Sequence, residues 1–371
     1  MKGKMMKNLD EKEWAKFDVF GENGFLQIAA TNSSIDSIRL VTLGEKIVPY
    51  ITRTDMANGI AQFVSDANYK YGSDEAGCIT IGLDTQTAFY QPHKFVTGQN
   101  IQIVTGDTLN NNSAHFYVAI LKNQMKAKFN WGGNGATLGR MRHLEAMLPV
   151  TESGEPDYEY MSEYVKIHRK AMLAKYRAYV KNRIAALGEY VEIPALSEKE
   201  WKAYRLSFLG SVESGRDIYA QERVYGRIPY ITAGSQNNGI GYFVDNCNDT
   251  YDSGYIAFNR NGAVGCAFYH HYLSVMGNDC RKLHLKAADK NLYVGISIAM
   301  LISMQSKSFS YSRKLGTARA NRLQIMLPVT DSGEPDYGYM EQYAKNMMIR
   351  KYRQYLSFLD AKDKTETVQG K

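Results

Sequence analysis

Apolar and polar positions follow two rhythms along this chain, in a fixed order. Short apolar runs broken by Gly, Asn and Asp come first: GCITIGL (77–83), QNIQIVTGD (99–107) and FYVAIL (116–121). Runs of that length between turn residues predict strands in a compact β-rich domain with a few helices. The rhythm then changes. Met161, Val165, His168, Met172, Tyr176 and Tyr179 fall at three- and four-residue steps, which draws one stripe along a helix. The strand-like rhythm returns with GYIAFN (254–259) and LYVGISIAMLI (292–302). A second helical stretch follows, in which Met340, Tyr343 and Met347 begin the same stripe and Tyr355 and Phe358 lie further along.

The order is repeated because the sequence is. MLPVTESGEPDY (147–158) and MLPVTDSGEPDY (326–337) stand 179 residues apart and differ only at Glu152 and Asp331. The match extends upstream through VPYIT (48–52) and IPYIT (228–232), NGIAQFV (58–64) and NGIGYFV (238–244), and AFY at 88–90 and 267–269. EKEW occurs at 11–14 and again at 198–201, and KYRAY (175–179) answers KYRQY (351–355). Solenoid repeats have a period of about 20 to 50 residues, so this much longer one is a duplicated domain. Both halves are expected to share one fold.

The junction between the rhythms is spelled alike in both copies. Proline in MLPV is expected to stop ladder pairing, and SGE to make a turn. Pro156–Asp157 and Pro335–Asp336 then open a helix, since proline suits a first turn and acidic groups favour its positive end. Glu155, Asp157 and Glu159 stand at the start of the first helix, with Lys170, Lys175, Arg177, Lys181 and Arg183 toward its end. The helices are expected over 157–187 and 336–359, roughly 45 Å and 35 Å long at the helical rise. Residues from Asp360 onward are expected to fray. The stripe buries itself either against the twin helix, as an antiparallel pair, or against its own β-rich domain. The expected fold is α+β: two β-rich heads (1–152 and 191–331), with two long helices (153–190 and 332–371) as an antiparallel coiled-coil spacer.

Composition narrows the function. The 371 residues are 44% hydrophobic, enough to bury real cores, and no apolar run is long enough for a membrane span. The charged N-terminus lacks the apolar stretch of a secretory signal. Cys78, Cys247, Cys266 and Cys280 are scattered, which suits neither zinc nor a disulfide framework and points to a reducing cytoplasm. The net charge of +7 has the sign expected for a nucleic-acid partner. The 27 tyrosines suit either interfaces or half-buried strand positions. No phosphate loop and no amino-methyltransferase motif is present. His270 and His271 are adjacent, so on a strand they point to opposite faces and cannot share a metal. The Pro-Asp of GEPDY could open a nuclease motif, but Glu163 and Lys166 lie on the predicted helix, and a helix start is the better reading.

A head opened by EKEW, a PYIT strand with NGIxxFV, an MLPV exit, a GEPDY turn and a basic, aromatic helix, all repeated, closely resembles the specificity subunit of type I restriction-modification systems. It looks especially like the branch shared with type IIB enzymes, whose helices follow an LPV…GEPDY stretch. The resemblance covers nearly the whole chain. It implies that each head is a target recognition domain reading one half of a split site on double-stranded DNA, and that the helices set the gap. It also implies that the subunit is not an enzyme and holds no cofactor. Methyltransferase subunits carrying S-adenosylmethionine, and a restriction or translocase subunit, would join it. On the helices, Met161, Tyr164, Met172, Tyr176, Met340, Tyr343, Met347 and Tyr352 are the expected partner-binding residues.

Three groups are candidates for DNA contact. The first is the loop after each PYIT: Thr52, Arg53, Thr54 and Asn58 in one head, and Ser235, Gln236, Asn237 and Asn238 in the other. Asn and Gln pair with adenine and Arg with guanine, though the same residues also make a plain Asn-Gly turn. The second is basic and aromatic: Lys126, Lys128, Trp131, Arg140 and Arg142, then Lys307, Tyr311, Arg313, Lys314 and Arg319. These would neutralise phosphates, unless they are only a solvated loop. The third is Arg260 and Asn261 in FNRNGAVG, whose counterpart GLDTQTA offers Asp84, Thr85 and Gln86. Two other classes remain open: a duplicated self-sufficient enzyme, and a coiled-coil adaptor that binds only protein.

Overall fold

A computed structural model of the chain describes residues 6–129, 135–310 and 312–369. The chain divides into two compact units, Met1–Tyr176 and Arg177–Lys371, with the boundary inside the first long helix.

In the first unit, strands β1 (Trp14–Asp18), β2 (Gln27–Ala30), β3 (Val48–Ile51), β4 (Ile60–Val64), β5 (Cys78–Gly82), β6 (Thr87–Gln91), β7 (Val96–Thr97), β8 (Ile101–Thr105) and β9 (Glu145–Pro149) form three small sheets. Their orders are β1-β9, β2-β8-β5-β6 and β4-β3-β7, all antiparallel except β3 with β7. Helix α1 (Ser113–Lys128) packs on β5 and β6, and a short turn α2 (Leu138–Met141) precedes β9.

The second unit repeats this with β10 (Trp201–Arg205), β11 (Gly210–Ser214), β12 (Tyr225–Ile231), β13 (Ile240–Val244), β14 (Tyr255–Asn259), β15 (Ala267–His270), β16 (Val275–Met276), β17 (Cys280–Leu285) and β18 (Gln324–Pro328), in orders β10-β18, β11-β17-β14-β15 and β13-β12-β16. The long helices are α3 (Tyr158–Leu187) in the first copy and, after the shorter α4 (Leu206–Leu209), α5 (Leu292–Ser303) and α6 (Thr317–Arg322), α7 (Tyr337–Gln369) in the second.

Two apolar runs expected as strands are helices. FYVAIL lies in α1, where Ser113, Tyr117, Leu121 and Met125 are buried at four-residue steps. Asn110 Oδ1 accepts from the amides of Asn112 and Ser113 and starts the turn. LYVGISIAMLI is α5, buried at Val294, Ile298 and Ile302, with Asn291 Oδ1 accepting from the amides of Tyr293 and Val294. A short apolar run has no periodicity of its own to separate helix from strand; the Asn110 turn precedes α1 and the Asn291 cap starts α5.

The junction of head and long helix is a cassette built alike twice. Asp157 Oδ1 accepts from the Tyr160 amide at 3.0 Å, and Asp336 Oδ1 from the Tyr339 amide at 2.9 Å, so each aspartate caps its helix. The other carboxylate oxygen binds Lys12 at 2.7 Å or Lys199 at 2.8 Å. Each lysine also lies over a tyrosine ring, Lys12 over Tyr160 and Lys199 over Tyr339. Burial works to raise both aspartate pKa values, yet the lysines and capped amides hold them below the usual carboxylate value. Trp14 and Trp201 donate to the carbonyls of Leu9 and Leu196, so the lysine and tryptophan of EKEW both serve this joint. Pro149 and Pro328 are the last residues of β9 and β18, opposite Trp14 and Trp201.

Within the second unit, the end of α3 meets α7. Arg177 pairs with Asp360 and, at 2.9 Å, with Asp363. Arg183 is hydrogen-bonded to Tyr352, which raises its pKa further, and Asn346 bonds both backbone groups of Val191. The partner numbers fall as the first number rises, so these segments run in opposite directions. Helix α7 continues to Gln369, past the point where fraying was expected, and its acidic Asp360 and Asp363 take part in these pairs.

The buried stripe on α3 is also rotated from the expected one. Val180 and Leu187 are fully or nearly buried, whereas Met172 is 67% and Tyr179 53% exposed and His168 is exposed. Met172 and Leu173, like Tyr179 and Val180, are adjacent apolar residues on neighbouring faces, and the aliphatic member of each is turned further from solvent.

Candidate nucleic-acid interface

The turn between β5 and β6, and its twin between β14 and β15, gathers the three candidate groups in each head. In the first head, Arg53 of the post-PYIT loop forms an ion pair with Asp84 of that turn. Gln86 Nε2 donates to the Asp84 carbonyl at 2.8 Å, and the Ala136 amide, just before α2, donates to the Leu83 carbonyl at 3.1 Å. In the second head, Asn259 Nδ2 donates to the Gly234 carbonyl at 2.9 Å and the Ala263 amide to the Ala233 carbonyl at 3.3 Å. The Leu315 amide donates to the Arg260 carbonyl at 3.3 Å. Segments far apart in sequence thus meet at the same place in both copies.

The Asn-Gly pairs turn out to hold that place together. Asn58 and Asn238 adopt φ of 58° and 54° and are followed by Gly59 and Gly239 at 79° and 72°, a left-handed pair that side chains other than Asn and Gly rarely tolerate. Asn58 Nδ2 donates to the Tyr90 carbonyl in β6 at 2.9 Å, and Asn238 is hydrogen-bonded to Tyr272, two residues past the end of β15. Thr54 Oγ1 accepts from the Met56 amide, and Thr52 is half-buried. Ser235, Gln236 and Asn237 are exposed, with no side-chain partner among the described residues.

The basic group is split. Arg140 Nη1 donates to the Gly135 carbonyl at 3.0 Å and Arg319 Nη1 to the Lys314 carbonyl, so both arginines brace the loops that carry them. Arg142, Arg313 and Lys307 are exposed, and Lys126 and Lys128 end α1. Trp131 and Tyr311 lie outside the described residues. Sequence reasoning passed over Lys122, whose ammonium sits 4.4 Å from the Phe89 ring centroid and whose pKa is lowered by burial and by Lys126. It also passed over Gln102 and Arg281, polar residues buried on β8 and β17 beneath these loops. Gln102 is signalled by a polar residue in the apolar run IQIV, whereas Arg281 stands in the mixed strand CRKLHL and has no such signal.

Residues 18–174 and 198–354 each match the type I restriction modification DNA specificity domain. The chain belongs to this family. It is a specificity subunit of a restriction-modification system, a class of subunit that is not catalytic. A curated relative, the specificity subunit of the BcgI type II restriction enzyme from Heyndrickxia coagulans, is 28% identical over 305 residues, covering 82% of this chain and 86% of its own. Among solved structures, the S subunit of a type I system from M. genitalium is 13% identical, with a TM-score of 0.49 and coverage of 96% of this chain and 94% of its own. The HsdS subunit from Thermoanaerobacter tengcongensis is 12% identical, with a TM-score of 0.30 and coverage of 85% and 84%.

Of the expected partner-binding residues in this specificity subunit, Met161 and Met340 are buried in the cores of their own heads and offer no surface to a partner. The first turn of a helix leaving a domain still lies on that domain. Tyr164 packs edge-on against Phe116 of α1 and stacks on His168, and Tyr343 stacks on Tyr339. Tyr176, Met347 and Tyr352 are half-buried, and Met172 is exposed. His270 is fully buried with Nδ1 3.1 Å from the Tyr272 hydroxyl, and burial lowers its pKa to about 4. No group of metal-ligating side chains is found among the described residues, and no described helix is long and apolar enough to cross a membrane.

Proposed function

We propose that this specificity subunit reads a bipartite site on double-stranded DNA, one half-site per head, and directs methyltransferase and restriction subunits to it. The observation that carries this reading is the paired loop assembly. Both heads present the same frame around the β5–β6 and β14–β15 turns, yet matched positions differ: Arg53 against Ala233, Leu83 against Arg260, Gln102 against Arg281. Identical frames with different side chains suit two readers of different half-sites, since Gln, Asn and Arg select different base edges. The heads are 1–152 and 191–331, and 153–190 with 332–371 form an antiparallel coiled-coil spacer. Such a spacer holds half-sites about one helical turn of DNA apart, near 34 Å. Exposed Met172, Tyr179, Tyr355 and Phe358 give the helices apolar surface for docking methyltransferase subunits, which would bring S-adenosylmethionine. The complex would work in the cytoplasm.

The test is methylated-base mapping by long-read sequencing in cells that express the cognate methyltransferase with or without this chain. A split motif with a fixed gap that appears only with the chain supports the reading. An identical pattern without the chain would instead favour a protein-binding adaptor.

A further inference from the structure

Four residues of the second head, Arg260, Asn261, Asp279 and Arg281, form a polar cluster with two arginines, whereas the matched positions of the first head hold none. Arg260 leaves the end of β14, and its Nη2 lies 3.1 Å from Asp279 Oδ1. Arg281, on β17, is only 6% exposed, and its Nη1 donates to the carbonyls of Asn278 at 2.9 Å and Cys280 at 2.6 Å. Among the described residues no carboxylate lies within ion-pair distance of Arg281. The Nε atoms of both arginines are buried without a hydrogen-bond partner, and so is Asn261 Oδ1. Arg281 has its pKa lowered by burial and then by the nearby charge of Arg260.

The one carboxylate beside the two guanidinium groups pairs with Arg260, and Arg281 is buried with carbonyl partners only. Burying a charge without a counter-charge is costly, and the cost is relieved when a ligand brings electronegative acceptors. The matched positions of the first head do not build this. Leu83 stands for Arg260, Asn100 for Asp279 and Gln102 for Arg281, and the Leu83 and Arg260 amides donate to the carbonyls of Asn100 and Asp279 alike. Gln102 donates to the Ala136 carbonyl at 2.8 Å and keeps its Oε1 unpartnered.

We infer that Arg260 and Arg281 form a site, present in the second head and absent from the first, for a pair of hydrogen-bond acceptors on DNA. Arg260, with its side chain 28% exposed, is the contact residue; Arg281 beneath it is a positioning residue. Two ligands share this chemistry. One is the O6/N7 edge of a guanine, with Asn261 as an acceptor beside the donors; the other is a pair of backbone phosphate oxygens. The inference rests on the reading of the heads as DNA readers.

Arg260→Leu and Arg281→Gln install the first head's own residues, and Arg281→Lys keeps the charge. Each full-length variant is tested in two ways: methylated-base mapping with the cognate methyltransferase, and binding to a random-sequence duplex over a salt series. A guanine contact predicts loss of guanine preference at one position of the second half-site, with roughly ten- to hundredfold weaker methylation of the original motif. A phosphate contact predicts an unchanged motif, weaker binding to any duplex and a salt slope lower by about one, with Arg281→Lys restoring part of the binding. The inference is overturned if Arg260→Leu or Arg281→Gln unfolds like the parent chain yet leaves both motif and salt slope unchanged. Should Arg281→Gln fail to fold, the more exposed Arg260→Leu tests the same contact by the same two readouts. A parent chain that produces no split motif contradicts the bipartite reading instead, and the salt slopes still decide whether the arginine pair meets DNA.

Discussion

Lys12 and Lys199 show how single side chains in this protein act at joints. Each is mostly buried, with its ammonium on the aspartate that caps a long helix. Lys12→Met or Lys199→Met leaves that carboxylate without its counter-charge, and each is expected to cost about 2 kcal/mol in chemical denaturation of the full chain. Because Asp157 and Asp336 are held below their ordinary 3.8, their contribution is full above that value and is lost as the pH falls below it. His270 also loses stability on acidification, but over a higher pH window. Its pKa falls from 6.5 to about 4 because a buried imidazole resists charging, so the folded state holds fewer protons than the unfolded one between those values. The contribution of His270 is expected to be full above pH 6.5 and to be lost, by about 3 kcal/mol, on acidification toward pH 4. The first head has Gln91 at this position, bonded to Thr80 Oγ1 and the Asn58 carbonyl. His270→Gln is therefore expected to flatten the second head's denaturation midpoint over that range; a midpoint that still falls as steeply as the parent's contradicts the assignment.

At the scale of elements, what the sequence made legible followed from pattern. GCITIGL, QNIQIVTGD and GYIAFN are strands as expected, and the long helices begin within one residue of the expected start. FYVAIL and LYVGISIAMLI were opaque because an apolar run flanked by polar residues suits either element; the turn at Asn110 and the cap at Asn291 mark their helix starts. The stripe on α3 was legible in existence but not in phase, since a shift from Met172 to Leu173 turns the face by about 100° on a helix. The candidate loops were legible as polar segments. Their convergence was not, because it depends on hydrogen bonds such as Asn259 to Gly234 that join residues distant in sequence. On α7, Ile349 is fully buried, so Ile349→Ala is expected to cost about 2–4 kcal/mol and to loosen the helix contacts of the second unit. Hydrogen exchange should then quicken along α7 while β14 and β17 stay protected; uniform exchange in both would place Ile349 in the head's core instead.

At the scale of the whole molecule, duplication explains why the two halves agree in frame and disagree at the loops. A shared frame fixes where a head presents its side chains, and on the proposed reading divergence at Leu83/Arg260 and Gln102/Arg281 would change what each head selects without changing how it folds. On the proposed reading of one half-site per head, two identical heads on an antiparallel spacer would read an inverted repeat. The measurement that tests this most directly replaces the first head with a second copy of 191–331 and maps methylated bases genome-wide with the cognate methyltransferase. The account predicts a motif made of two inverted copies of the second half-site, separated by a fixed gap. A motif that keeps the original first half-site would contradict the assignment of one half-site to each head.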